Sequence, residues 1–139
     1  MPGLLAGHAN ICSQSVTSEG HPYARFKRSL ATRNPTLATA AARELAELTL
    51  EDALRLVLLY REASDERFAR AALRWHARLC TAMPGIGLAG ARVSAQALLA
   101  IGAEQPRRGV EALSQLLESA GAGDALAALD EWVDRLGQG

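Results

Sequence analysis

Apolar residues along this chain recur at helical spacing, and the clearest run is TLEDALRLVLLYRE, residues 49–62. Leu50, Leu54, Val57, Leu58 and Arg61 fall on one side of a helix there, and Leu56 and Leu59 widen the apolar arc. An arc that wide predicts a central helix. Thr49 followed three positions later by Asp52 reads as a capping box. Glu51 and Asp52 put negative charge at the amide end, and Leu48 with Ala53 forms a hydrophobic staple.

The same reading places six further helices. From Pro22 a short helix runs through HPYARFKRSLATR, with Phe26 and Leu30 on one face. Asn34 caps a second helix with Pro35 in its first turn, reaching Leu48 on a face of Leu37, Ala41, Leu45 and Leu48. Ser64 or Asp65 caps the fourth, which carries Phe68, Ala72, Trp75 and Leu79 inward as far as Ala82 and stops at Pro84-Gly85. A fifth extends from Leu88 to Ile101, a sixth from Pro106 to Ser119 through Leu113 and Leu117, and a seventh from Asp124 to Leu136 through Leu129 and Trp132. Short connections make successive helices antiparallel neighbours.

The fold class expected is therefore all-α: an irregular bundle of six or seven short antiparallel helices, with a stack of three helical hairpins as the other arrangement. Leu48, Leu79 and Leu117 mark matching points of those hairpins, but they stand 31 and 38 residues apart and no signature recurs with them. Residues 1–20 mix Gly, Ser, Asn and Thr without a period and read as a flexible N-terminal arm, leaving 21–137 as a single helical domain.

Composition supports this reading. The chain has 139 residues, 49% of them hydrophobic but only 4% aromatic, so its core is built mainly from Leu and Ala, the strongest helix formers. Cys12 and Cys80 are too few for a disulfide scaffold. The longest apolar stretches fall short of the ~18 to 20 residues that cross a bilayer, and MPGLLAGHANICSQSV lacks the features of a signal peptide. A cytoplasmic protein without a membrane partner is expected.

The formal net charge is 0, which disfavours general attraction to nucleic acid. Charge is nevertheless unevenly spread. Residues 1–43 hold five basic residues against Glu19 alone, and residues 111–139 hold six acids against Arg135.

Four motifs raise chemical possibilities. PGIGLAG, residues 84–90, has the G-x-G-x-x-G spacing that admits a dinucleotide pyrophosphate. It follows an amphipathic helix rather than a strand, however, and no acid occurs after it until Glu104, so its glycines serve a turn and close helix packing. No cofactor is expected. His8 and Cys12, and again His76 and Cys80, share a His-x3-Cys spacing that on a helix brings two metal-ligating side chains to one face. These four are candidate ligands only, and the primary expectation is no metal. Ser94 and Ser114 lie inside helices with no local histidine, and the paired acids sit near helix starts, so no catalytic constellation is legible and a non-enzymatic role is expected.

Arg67, Arg70, Arg74 and Arg78 form a stripe on the fourth helix, whose guanidinium forks match carboxylates and phosphates alike. Its bland explanation is a solvated face neutralised by acids such as Glu44, Glu47 or Glu62. A secondary basic patch, Arg25, Lys27, Arg28 and Arg33, interleaves with Tyr23 and Phe26. Against nucleic acid, the acidic first turn at Glu51 and Asp52 would repel phosphates from the best-marked helix start.

The segment ARELAELTLEDALRLVLLYREASDERFARAALRWHARL, residues 42–79, resembles small uncharacterised all-helical proteins of GC-rich Gram-positive bacteria, in which an A-R-E-L segment, a Thr or Ser helix start and an A-x-R-W segment follow in that order. The resemblance implies a bacterial, intracellular helical protein and transfers no site residue. Sequence alone thus leads to a helical protein-protein interaction module, an adaptor or regulator that recognises another protein or its own copy. A DNA-associated accessory protein using the arginine stripe is the alternative.

Overall fold

A computed structural model of the chain describes residues 21–138. Among these it contains seven α-helices, one 3-10 turn and no strand. The helices are α1 (residues 21–31), α2 (Pro35–Arg43), α3 (Leu50–Glu62), α4 (Phe68–Ala82), α5 (Gly87–Gly102), α6 (Pro106–Ala120) and α7 (Gly123–Gln138), with the 3-10 turn Pro84–Ile86 ahead of α5. They divide into two compact units, with the boundary between Glu47 and Leu48.

In the first unit, α1 buries Phe26 and Leu30, four residues apart as their shared face requires. Asn34 caps α2 by accepting a hydrogen bond from the Leu37 amide, and Pro35 occupies the first turn. Unlike the sequence expectation, α2 ends at Arg43 rather than Leu48, and its buried face is Ala38 and Ala41 while Leu37 is exposed. The segment ARELAEL has good intrinsic helicity. The helix nevertheless stops at Arg43, and Glu44, at its C-cap, pairs with the Arg25 guanidinium of α1 at 2.7 Å.

In the second unit, each helix packs on the next from α3 to α7, and α7 packs back on α3. The five helices therefore close a ring around one core, the irregular-bundle arrangement rather than an open stack of hairpins. Leu54, Leu58, Trp75, Leu79, Ile101, Leu113, Leu117, Leu129 and Trp132 fill that core, with Phe68 packed against it from a half-buried position. The most extensive contact joins α5 and α6. Gly109 permits it, since a Cβ there would lie 2.4 Å from the Ala97 carbonyl oxygen and 2.8 Å from Ile101.

Polar links fix the ring where helices meet. Thr49 accepts from the Asp52 amide, the half of the capping box that secures the start of α3. The Asp52 carboxylate is turned to Arg55, which also forks onto Glu131 of α7. Burial works against the Arg55 charge, but the hydrogen bonds and charges of Glu131 and Asp52 outweigh it and raise the guanidinium above its ordinary value. Arg61 donates to the Ile101 and Ala103 carbonyls at the C-terminal end of α5, where a cation also suits the helix dipole.

Candidate functional site

The α4 surface carries the arginines singled out from the sequence, but three of them and not four. The helix begins at Phe68. Asp65 caps the preceding turn by accepting from the Arg67 amide, and its carboxylate holds the Arg67 guanidinium at 3.5 Å, which also stands over the Tyr60 ring. Arg67 is thus spent on the α3–α4 connection. Arg70, Arg74 and Arg78 follow at four-residue intervals on α4, all exposed, and none makes an ion pair among the described residues. Leu73 lies beside Arg74 and is 67% exposed.

Two of the acids that could have neutralised this stripe are engaged elsewhere: Glu44 with Arg25, and Glu62 with Arg135. That leaves a stripe of charge beside an exposed apolar side chain, an arrangement suited to gripping carboxylates around an apolar anchor. The secondary basic patch is more dispersed in use. Arg25 holds Glu44, Lys27 stands over the Tyr23 ring, and Arg33 donates to the Leu30 carbonyl, leaving Arg28 exposed.

PGIGLAG has the structural roles expected of it. Gly87 has φ +64, a left-handed conformation that favours glycine, and it joins the 3-10 turn to α5. Gly90 is buried, and a Cβ there would press on Ile86 and approach Leu116 of α6 at 3.3 Å. No strand precedes the motif among the described residues, so the framework of a dinucleotide site is not built around it.

His76 and Cys80 do converge. On successive turns of α4, the Cys80 sulfur stands 3.8 Å from His76 Nε2. The other ring nitrogen, Nδ1, lies 2.9 Å from the hydroxyl of Ser94 on α5. Ser94, read from the sequence as having no local histidine, is fully buried and finds its histidine 18 residues away across the helix interface. Only tertiary packing makes that pair, so no local spacing announces it. His8 and Cys12 lie outside the described residues, and no group of three or more His, Cys, Asp or Glu side chains positioned for a metal occurs among the described ones.

One expectation about apolar length needs correction. Pro84–Gly102, 19 residues of mean hydropathy 1.3, is long and apolar enough to cross a bilayer by length and composition. Counting uninterrupted apolar residues missed it, because Arg92, Ser94 and Gln96 are diluted by Ala, Leu and Gly. In the fold this segment packs on α4 and α6 and exposes Leu88 and Leu99.

No protein-family model, curated protein or solved structure matches the chain.

Proposed function

We propose that the chain is a protein-protein interaction module, an adaptor or regulator, that uses the α4 surface to hold an acidic partner. The observation that carries this reading is the row Arg70, Arg74 and Arg78, exposed and without ion pairs among the described residues, while Arg25, Arg55, Arg67 and Arg135 each hold a carboxylate. Three guanidinium groups give orientation and charge selectivity, and Leu73 supplies apolar contact on one flank of their row. A net charge of 0 gives no long-range attraction to a polyanion, which favours a protein carboxylate surface over duplex DNA.

The test compares wild type with Arg74→Glu/Arg78→Glu. On this reading wild type shows no saturable binding to duplex DNA at ~150 mM salt, and the reversals abolish capture of a protein partner or, if the partner is a second copy, lower the mass measured by light scattering. Sequence-specific DNA binding with a steep salt dependence, lost in the reversed variant, would establish the DNA-associated alternative instead.

A further inference from the structure

We infer that the α4–α5 face seats an acidic amphipathic helix of the partner, which lays its apolar stripe on Leu73, Leu88 and Leu99 and its carboxylates on Arg70, Arg74 and Arg92. This rests on the acidic-partner reading of α4, to which it adds α5 and the form of the occupant.

Charge sets the chemistry of that occupant. From Arg67 to Ala103 the chain contains no Asp or Glu, so α4 and α5 are free of acids along their whole length. Arg92 of α5, like Arg70 and Arg74 of α4, is exposed and makes no ion pair among the described residues. A face with cations and no anions complements carboxylates and rejects a basic partner. Residues 1–20 hold one acid, Glu19, so the chain's own N-terminal segment lacks the charge to fill this face.

Apolar exposure sets the form. Pro84–Gly102 has a mean hydropathy of 1.3, yet only 28% of that stretch is buried in the fold. Gly90, Ala97 and Ile101 turn to α6, and on the opposite side of α5 Leu88, Arg92, Ala95 and Leu99 recur at helical spacing, with Leu88 92% and Leu99 73% exposed. Phe68 lies against Gly102 and His76 bonds Ser94, so α4 and α5 run antiparallel and Leu73 comes within a turn of Leu99. Leu88 and Leu99 are separated by roughly 16 Å, three helical turns, so a helix laid along the face meets both with residues of one of its own stripes. Between them Ala77 and Ala95 are small, which lets a third helix axis approach closely. An anionic bilayer would match the charge as well, but interfacial insertion favours protruding aromatic side chains, and α4 and α5 expose none.

The test displays a random peptide library to the full chain, then measures binding of the enriched peptides by fluorescence anisotropy. The expected peptides carry acids and place apolar residues three and four apart, and they gain helical circular dichroism on binding. Arg92→Glu and Leu88→Ser/Leu99→Ser, which keep the wild-type melting transition, should each weaken them about 10-fold or more. No enrichment, or acidic peptides that bind both α5 variants as tightly as wild type, would overturn the inference. So would flotation of the chain with vesicles of equal parts phosphatidylcholine and phosphatidylserine, or a mass that rises with concentration in light scattering, if lost in Leu88→Ser/Leu99→Ser, since the face would then belong to a bilayer or to a second copy. The acidic-partner reading fails separately. It survives if acidic peptides ignore the α5 variants but lose Arg70→Glu/Arg74→Glu/Arg78→Glu, and it falls with the inference if the enriched peptides carry no acids.

Discussion

The indole N–H of Trp75, in the middle of α4, donates to the backbone carbonyl of Leu50, the first residue of α3, across 3.0 Å. The bond ties a fully buried aromatic to the end of a neighbouring helix and satisfies a polar atom that the core would otherwise strand. Trp132 of α7 is also buried, yet its Nε1 finds no acceptor among the described residues. The two tryptophans should therefore respond differently to replacement by phenylalanine. Trp75→Phe loses volume and the indole hydrogen bond, while the Leu50 carbonyl keeps its place in the α3 helical ladder, at about 2–4 kcal/mol. Trp132→Phe loses similar volume but removes an unsatisfied N–H, and should cost about 1 kcal/mol less. Urea denaturation of both variants checks the order, and equal losses would show that the Leu50 bond contributes nothing.

The Arg55 network predicts an asymmetry between its two acids. The Asp52 side chain is 3% exposed and depends on Arg55 for compensation, whereas Glu131 is 56% exposed. Arg55→Ala strands a buried carboxylate and should cost roughly 2 kcal/mol or more. Glu131→Ala should cost under about 1 kcal/mol, because water already screens that pair. Thermal melts at low and high salt measure both, and a Glu131→Ala loss as large as that of Arg55→Ala would contradict this assignment.

Alanine replacing glycine should act in opposite directions on α6 and α7. Gly109→Ala drives a methyl group into the backbone of α5 at Ala97 and should destabilise by about 1–3 kcal/mol despite the gain in helix propensity. Gly137, in α7, meets nothing within 4 Å, so Gly137→Ala should be neutral or stabilising by a few tenths of a kcal/mol. A Gly109→Ala protein as stable as the wild type would contradict the close approach of α6 to Ala97 of α5.

How legible these features were depends on how local their causes are. The α3 start at Thr49, the α2 cap at Asn34 and the inward face Trp75–Leu79 follow from spacing and capping within a few residues, and the sequence pattern finds them. The end of α2 does not, because the run ARELAEL goes on favouring helix past Arg43 and carries no local stop signal, and the pairing of Glu44 with Arg25, 19 residues away, has no mark in the local pattern. Arg67 reads as part of a helical stripe, since intervals of three, four and four do not reveal that Asp65 accepts from the Arg67 amide in a turn and that α4 starts only at Phe68. His76 and Cys80 were visible as a spacing. Ser94, which pairs with His76, is identifiable only in the packing of α4 against α5.

Whether the free arginines of α4 hold an acidic protein is measured most directly by nuclease-treated affinity capture from the protein's own cells, with wild type beside Arg70→Glu/Arg74→Glu/Arg78→Glu and retained material identified by mass spectrometry. The prediction is a protein bearing an acidic segment, or a second copy of this chain, retained by wild type, released by raised salt and absent from the folded triple variant. Identical capture by both proteins, or a wild-type complex that dissolves on nuclease treatment, would contradict it.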